Sequence, residues 1–261
     1  MLVEIVKLGI THLMVGTCAL CLTADCELRE SHYMPAALYP KNQKLELLPR
    51  VPGQTEVEEI TMPLLCARCE HRFNKRGESE VLRHIAAKIA NKPSPLVPKL
   101  ETLTVLEGDE TLKSYCGSDA GLNMDMFAYF ALSMAWRGIH SWPRTGRPDL
   151  TPICLGLYRE PIRRFLAEET IDFPAEASVI VIACTDKISR EAWFLPSQRD
   201  DVWFHDVRML ALGVFFRVLL GRSVPDVLMR DSCHAVGKRI HVGDASKRTR
   251  ESLDYTESLT A

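Results

Sequence analysis

The 261-residue chain has no marked excess of charge of either sign, because 32 lysine and arginine residues stand against 34 acidic residues. The net charge of −2 excludes a surface that is basic throughout, although a local basic patch stays compatible with it. The chain also lacks internal repeats, and no low-complexity tract is found before its polar end. With 46% hydrophobic and 25% charged residues, the composition is that of a globular protein with a sizeable core.

Long apolar runs are missing as well. The longest, Met209–Gly221, is too short to cross a bilayer and contains Arg217. The apolar N-terminal stretch is interrupted by Glu4 and Lys7, and no cleavage site of small residues follows it. These absences predict a cytoplasmic protein that has no membrane partner.

Composition divides the chain into three regions. Residues 1–92 contain two Cys-x-x-Cys pairs, and the proline-rich stretch Asn91–Lys99 predicts a linker or domain edge. Residues 99–228 are more apolar, which predicts a larger domain of mixed helices and strands. Residues 229–261 are polar and charged, which predicts a C-terminal segment that is partly mobile.

The larger region contains periodic apolar patterns. Leu122–Ile139 predicts a long buried helix, and Tyr158–Glu169 predicts an amphipathic helix. Ala177–Cys184 is rich in β-branched residues and predicts a strand, with Glu191–Pro196 as a candidate partner strand. Val202–Leu220 fits either class of element, and strands are favoured.

The cysteines are the most specific signal in the sequence. Nine cysteines are an odd number, which argues against a complete disulfide framework. Two Cys-x-x-Cys pairs, Cys18 with Cys21 and Cys66 with Cys69, are separated by 44 residues. Two such pairs supply the four tetrahedral ligands that Zn²⁺ prefers, and four thiolates leave no open position. The pairs therefore predict a structural zinc site.

Two other interpretations of the pairs stay open. They can be unrelated buried cysteines, which pack as small apolar residues. A redox pair of the thioredoxin type is disfavoured because the required βαβ context is absent. The other five cysteines are expected to be small core residues, with Cys26 as the exception because it lies close to the first pair.

The residues around the pairs define an order of elements. Apolar and polar residues alternate before His32, which predicts the first strand of a hairpin. After the second pair, Val81, Leu82, Ile85 and Ile89 recur at helical spacing. The predicted order is knuckle, strand ending at His32, loop, strand, knuckle and helix.

This part of the chain contains, in order, the motifs Cys-x-x-Cys, Ser-His-x-x-Pro, Leu-Leu-Cys-x-x-Cys-Glu, Phe-Asn and Gly-Glu. Together they resemble the motifs of the HNH endonuclease superfamily. The resemblance is to the branch in which a zinc knuckle braces a ββα-metal finger. It implies an α+β fold with an N-terminal zinc-knuckled, treble-clef-like ββα-metal module, followed by a mixed helix/sheet domain. It also implies hydrolysis of DNA phosphodiester bonds with Mg²⁺ or another divalent cation, and an association with anti-phage or mobile-element systems.

The resemblance also implies roles for single residues. His32 matches the first-strand histidine that acts as general base, and Asn74 matches the helix residue that helps to hold the metal. Glu70 stands where many members have a histidine. Ser31 precedes His32 where the commonest form has Asp or His, so Glu70 or Glu78 is the candidate for the missing ligand.

Some positions of the motif have no clear match. Asn42 and Gln54 are the nearby amides that could replace its middle asparagine, and His71 is a further candidate on the helix. The simpler interpretation makes His32 a hairpin histidine bonded to a backbone carbonyl, and Asn74 an exposed helix residue.

Basic residues follow the second cysteine pair. Residues 66–92 contain seven lysines and arginines against three glutamates. Four of the basic residues are candidates for contacts with nucleic-acid phosphates: Arg72, Lys75, Arg76 and Arg83. The alternative is a solvated helix face. A second cluster, Lys238–Arg250, predicts an arm on nucleic acid or a tail that docks on a protein.

Three functions follow from these observations. The favoured one is a metal-dependent HNH-type endonuclease that acts on nucleic acid, with DNA favoured over RNA. The second is a non-catalytic zinc-finger subunit that binds nucleic acid or protein. The third is a scaffold in which the region after Lys99 recognises a protein partner.

Overall fold

The structure, a computed structural model, describes residues 14–39, 59–86, 96–145, 148–200 and 203–252. Helices and strands alternate along these residues and form two sheets with helices packed against them. The fold is therefore of the mixed α+β class, as predicted. In the part of the chain described, no helix is long and apolar enough to cross a membrane.

A small antiparallel sheet comes first. Its strands, in spatial order, are β1 (Met14–Gly16), β2 (Cys26–His32) and β3 (Thr61–Cys66). The pairing register of β2 with β3 shifts between Arg29 and Glu30, and such a bulge redirects the side chains that follow. Ser31 is completely buried after the bulge, and His32 ends the strand, as the alternation predicted.

A helix follows β3 directly. It consists of α1 (Ala67–Phe73), a single π-helical turn (Asn74–Glu78) and α2 (Ser79–Ile85). Val81 and Ile85 are fully buried, which confirms the predicted helical spacing over this part. Ile89 lies outside the described residues.

A seven-stranded sheet forms the larger part of the fold. Its strands are β4 (Glu107–Gly108), β5 (Leu112–Cys116), β6 (Ala177–Cys184), β7 (Phe194–Asp200), β8 (His205–Ala211), β9 (Val214–Leu220) and β10 (Arg239–Gly243). The spatial order is β4-β5-β10-β6-β9-β8-β7, and the pairing is antiparallel except between β6 and β10. Every residue of β6 is buried, because alternate side chains enter hydrophobic clusters on opposite faces of the sheet.

Five further helices are α3 (Leu96–Leu100), α4 (Met124–Arg137), α5 (Arg159–Leu166), α6 (Lys187–Glu191) and α7 (Asp226–Arg230), and residues 246–252 are also helical. The predicted buried helix is α4, which is buried around almost its whole circumference. Asn123 caps it by accepting a hydrogen bond from the Met126 N–H. The predicted amphipathic helix is α5.

The strands β7, β8 and β9 form a meander, which corrects one expectation. The sequence predicts that Glu191–Pro196 pairs with the strand Ala177–Cys184, but β7 pairs with β8 at the sheet edge. Consecutive strands with short connections pair with each other, and β9 takes the place beside β6. The preference for strands over Val202–Leu220 is confirmed. Leu212 and Gly213 both have positive φ, as a two-residue hairpin turn requires.

Two segments have more structure than their composition indicates. In the stretch predicted as a linker, residues 91–95 lie outside the described residues, but α3 begins at Leu96, and Leu96 and Val97 are buried. Within the polar C-terminal segment, β10 is a central strand between β5 and β6. Ile240 is fully buried there, although arginine, lysine and aspartate residues flank the strand.

The small sheet, its helix and α4 share one hydrophobic core. The ring of Phe73 meets the ring of Trp136 edge to face, with the centroids 5.9 Å apart. Tyr33, just after β2, stacks on Trp142 with the centroids 5.1 Å apart. Burying such aromatic side chains contributes on the order of 2–3 kcal/mol each. The N-terminal elements are therefore held in place by residues from far along the chain.

Candidate functional site

Four cysteine sulfurs lie together beside the small sheet, as the two pairs predicted. The Sγ atoms of Cys18, Cys21, Cys66 and Cys69 lie within 4.8 Å of one another, and those of Cys21 and Cys66 are 3.9 Å apart. Zn–S bonds of about 2.3 Å place the sulfurs of a tetrahedral site about 3.8 Å apart. The cluster has this size, so it could bind a metal such as zinc.

Local hydrogen bonds shape this cluster. Leu22 donates its N–H to the Cys18 carbonyl over 2.9 Å, and its positive φ of 59° closes the turn. Cys66 donates its N–H to Cys18 Sγ over 3.3 Å. Hydrogen bonding from the Cys69 thiol lowers the pKa of Cys18 to about 4 and raises that of Cys69. The thiolate form of Cys18 is therefore favoured. A cation bound at the cluster would favour the loss of protons from the other thiols.

Cys26 lies outside the cluster. Its Sγ donates to the carbonyl of Thr23 over 3.3 Å and of Gly16 over 3.4 Å. All nine cysteines lie within the described residues, and each is a free thiol. Burial raises the pKa of Cys184 to about 12, which fits its role as a small core residue.

A pocket of about 180 Å³ lies near the cluster, since Glu70 in its wall directly follows Cys69. His32 borders it from the end of β2, Glu70 from α1, and Asn74 and Glu78 from the π-helical turn. The structure thus brings together the three residues predicted as catalytic. Arg137, the last residue of α4, borders the same pocket.

The helix presents its polar residues to the pocket through their spacing. Glu70, Asn74 and Glu78 follow one another at intervals of four, so they line one face. The turn from Asn74 to Glu78 is π-helical, and such turns are frequent at functional sites. Gly77 allows this turn to pack closely, since a Cβ there would lie 3.1 Å from backbone atoms of Phe130.

Ser31 and Glu70 form a partly buried hydrogen bond, and Glu70 borders the pocket. The Ser31 hydroxyl donates to Glu70 Oε1. Burial raises the pKa of the Glu70 carboxyl, and the nearby Arg137 and the Ser31 hydrogen bond oppose this effect. Ser31 stands where the resemblance leads us to expect a metal ligand. It therefore binds the carboxyl group of Glu70, which is the candidate for that missing ligand.

His32 lies where solvent still reaches it. About a third of its side chain is exposed, and its Nε2 is 3.2 Å from Glu59 Oε2. A carboxylate at this distance from a ring nitrogen orients the imidazole. The predicted hydrogen bond of His32 to a backbone carbonyl is not found among the described residues.

Arg137 is the buried cation of the pocket. Only 2% of its side chain is exposed, and its Nη2 donates to Glu78 Oε1 over 2.7 Å. Its guanidinium carbon lies 4.8 Å from the centre of the Phe73 ring. Its Nε is buried without a hydrogen-bond partner among the described residues. Arg137 therefore brings a buried positive charge to the pocket wall, where it is paired with Glu78.

Arg137 was not predicted as part of the site, although the sequence contains a signal for it. Arg137 shares a face of its helix with Phe130 and Ser133, and that helix is predicted to be buried. A buried arginine needs an anionic partner, so a carboxylate from elsewhere in the chain is required. Nothing in the local pattern identifies that partner as Glu78, which is 59 residues away.

Other candidate residues lie outside the pocket. His71 is exposed on α1 and is not part of the pocket wall. Asn42 and Gln54 lie outside the described residues. Asn74, in contrast, borders the pocket, but it is exposed, as the simpler interpretation expects, and its Oδ1 accepts a hydrogen bond of 2.8 Å from the Ser79 hydroxyl.

Three of the four predicted phosphate-contacting residues form ion pairs. Arg72 and Arg76 both pair with Glu168, and Arg83 pairs with Glu80. Lys75 is exposed. The local excess of positive charge along the helix is thus partly balanced by carboxylates.

The second basic cluster is not a free arm over its described part. Lys238 pairs with Asp125, and Arg239 pairs with Glu107. Arg239 begins β10, so the cluster continues into the sheet.

A larger cavity, of about 450 Å³, lies at the start of α4. Glu80, Arg83, Asp125 and Lys238 are the charged residues that border it. These charges neutralise each other in ion pairs. The smaller pocket is the better candidate for chemistry, because it holds a histidine, an amide and two carboxyl groups around a buried arginine.

Comparison of the chain with models of known protein families found no match, and neither curated proteins nor solved structures gave a significant one. The assignment of a function therefore depends on the geometry of these residues.

Proposed function

We propose that the protein is an HNH-type endonuclease that hydrolyses phosphodiester bonds of DNA, with His32 as general base. The observation that carries the proposal is the pocket of about 180 Å³ in which His32, Glu70 and Asn74 meet beside the four cysteines. The order of β2, β3 and the helix of residues 67–85 is compatible with a ββα-metal module. Zinc at the cysteines would brace it.

His32 has the position that a general base needs. Its imidazole is partly exposed, so a water molecule has access to it, and Glu59 fixes its orientation. In the proposed reaction the imidazole accepts a proton from the water that attacks the phosphorus. Arg137 lies at the pocket wall, where its guanidinium favours the negative charge of the substrate phosphate.

Glu70 and Asn74 are the residues that would hold a divalent cation such as Mg²⁺. Their side chains offer oxygen atoms, which hard cations prefer. Among the described residues, only the four cysteines form a ready cluster of three or more His, Cys, Asp or Glu ligands. A cation in the pocket would stabilise charge on the phosphate and on the leaving oxygen. Glu70 would then exchange its hydrogen bond with Ser31 for the cation.

The proposal is tested by a plasmid-cleavage assay in Mg²⁺, Mn²⁺ or Ni²⁺, with zinc content measured for each variant. We expect His32→Ala to lower the cleavage rate by about 10²–10⁴-fold, the range for a general base. Asn74→Ala is expected to lower it as well. His71→Ala is the matched control, because His71 is exposed on the same helix and outside the pocket. Cleavage by His32→Ala at the wild-type rate would refute the assignment.

A non-catalytic zinc-finger subunit is the second candidate. Two observations favour it: Ser31 replaces an acidic ligand, and Glu70 and Glu78 already have partners within the protein. This alternative predicts that purified protein binds DNA without cutting it, and that His32→Ala leaves the affinity unchanged. Cleavage that depends on His32 would exclude it.

A further inference from the structure

Two arginines on the helix share a single carboxylate. Arg72 Nε lies 3.1 Å from Glu168 Oε2, and Arg76 Nε lies 3.0 Å from Glu168 Oε1. Arg72 and Arg76 are four residues apart, so they lie on one face of the helix. One anionic group with two oxygens is thus held between two guanidinium groups.

The backbone at Glu168 is unusual for a glutamate. Glu168 follows the end of α5 with a φ of +59°, in the left-handed region. Helices commonly end on such a residue, but glycine or asparagine usually occupies it, because a larger side chain is strained there. In this chain the strained position carries the carboxylate that reaches both arginines.

We propose that Arg72 and Arg76 form a binding site for a backbone phosphate of DNA, and that the Glu168 carboxylate occupies this site in the free protein. The inference rests on the proposed function, since it concerns how that function's substrate is held. A carboxylate and a phosphate both present two oxygens to arginine side chains, so each can take the other's place.

Exposure makes this exchange accessible. The side chain of Glu168 is 46% exposed and that of Arg76 is 52% exposed, so solvent and ligands reach both. The pair of Arg76 with Glu168 is exposed, so it is weak and is screened by salt, whereas the side chain of Arg72 is only 16% exposed and its pair is screened less. DNA binding also gains free energy when arginines neutralise phosphates, because the condensed counterions of the DNA are then released into solution. Displacement of Glu168 by DNA is therefore favourable, but the carboxylate reduces the net affinity.

The site lies away from the catalytic pocket. Arg72 is two residues beyond Glu70, which turns it by about 200° around the helix axis. Since an α-helix with its side chains is about 10 Å wide, a phosphate at Arg72 and Arg76 is not the one that is cleaved. The contact would position a neighbouring stretch of the DNA backbone.

The test is the affinity of a fluorescent DNA duplex, measured by anisotropy at several salt concentrations. All variants carry His32→Ala, so that no cleavage interferes. We expect Glu168→Gln to tighten binding by on the order of threefold to tenfold, because the competing carboxylate becomes neutral. Glu176→Gln is the matched control. This substitution also removes one negative charge, here from the surface ion pair of Glu176 with Arg222. We expect it to change the affinity for DNA by less than about twofold.

A double-mutant cycle decides whether the effect acts through the arginines. In a protein with Arg72→Gln and Arg76→Gln, the further change Glu168→Gln is expected to leave the affinity unchanged. If it tightens binding there as well, or if Glu176→Gln tightens binding equally, only net charge is at work and the inference is wrong. Absence of DNA binding by every variant would also overturn it.

The inference and the proposed function can fail separately. In one case, Glu168→Gln tightens binding through Arg72 and Arg76, but protein that retains His32 does not cleave DNA. This result would support the phosphate site and refute the enzyme. In the other case, cleavage depends on His32, but Glu168→Gln does not change the affinity for DNA. This result would support the enzyme and refute the phosphate site. Zinc content and melting temperature confirm that each variant is folded.

Discussion

At the scale of single residues, the pocket is defined by a charge that the core encloses. Arg137 and Glu78 come from different helices and meet where little solvent reaches either side chain. A buried pair of this kind costs desolvation energy, and removing one partner leaves the other charge uncompensated. The pair therefore ties the position of the π-helical turn to that of α4.

We expect Arg137→Met and Glu78→Gln each to lower the free energy of unfolding by about 3–5 kcal/mol. The double variant should lose less than the sum of the two, since neither charge is then left alone. Urea denaturation of the four proteins provides the cycle. Additive losses would show that the two side chains do not depend on each other.

The cysteines allow a second prediction at this scale. We expect Cys18→Ser to abolish stoichiometric zinc binding and to lower the melting temperature, because a tetrathiolate site has no spare ligand. Cys26→Ser is the matched control, since Cys26 lies near the cluster but bonds to backbone carbonyls. Metal analysis of purified protein checks both. Equal loss of zinc in the two variants would mean that Cys26 is a ligand.

The sequence predicted the local part of the site and missed the distant part. The Cys-x-x-Cys spacing, and the motifs around His32, Glu70 and Asn74 that resemble those of a known family, are patterns of residues close together in the sequence. The contact of Arg137 with Glu78 spans 59 residues and depends on how two helices pack. Pairing of this kind leaves no periodic trace in the sequence.

At the scale of elements, the π-helical turn is the feature on which the pocket depends. It occurs where Gly77 lies so close to α4 that a Cβ at this position would be 3.1 Å from the Phe130 backbone. Glu78, the last residue of the turn, reaches Arg137. The close packing of Gly77 on α4 and the π-helical geometry of the turn are therefore linked.

We expect Gly77→Val to lower the free energy of unfolding by about 2 kcal/mol, because its side chain would press on the Phe130 backbone. The change should also displace Asn74 and Glu78, and so reduce cleavage beyond the loss of folded protein. His71→Val, on the same helix but exposed and outside the pocket, is the control. Denaturation and cleavage assays at a temperature where both proteins are folded separate the two effects.

Elements were predicted well where their burial is uniform. The strand β6 and the helix α4 are apolar along almost their whole length, so composition alone identified them. Sheet order was not predictable in the same way. It depends on the whole set of strands, because β7 pairs with β8 rather than with β6, and β10 lies between β5 and β6.

At the scale of the whole molecule, the large sheet depends on the polar end of the chain. β10 is bonded to β5 on one side and to β6 on the other. A strand with two neighbours cannot be removed without exposing backbone groups of both. The C-terminal segment is therefore part of the fold through residue 243 at least.

We expect a chain that ends at residue 238 to lose cooperative unfolding and to aggregate, because β5 and β6 would have unpaired edges. A chain that ends at residue 252 keeps β10 and should unfold as the full-length protein does. Circular dichroism during heating and size-exclusion chromatography distinguish the two chains. Cooperative unfolding of the shorter chain would show that β10 is dispensable.

The place of β10 has a consequence for biosynthesis. All four cysteines lie within the first 69 residues, so they could bind a metal while much of the chain is still being made. The large sheet, in contrast, cannot close before residue 243 emerges, because β10 separates β5 from β6. The nascent protein thus passes through a stage in which its four cysteines could already bind a metal while strand edges are still open. Chaperones would protect it from aggregation at this stage.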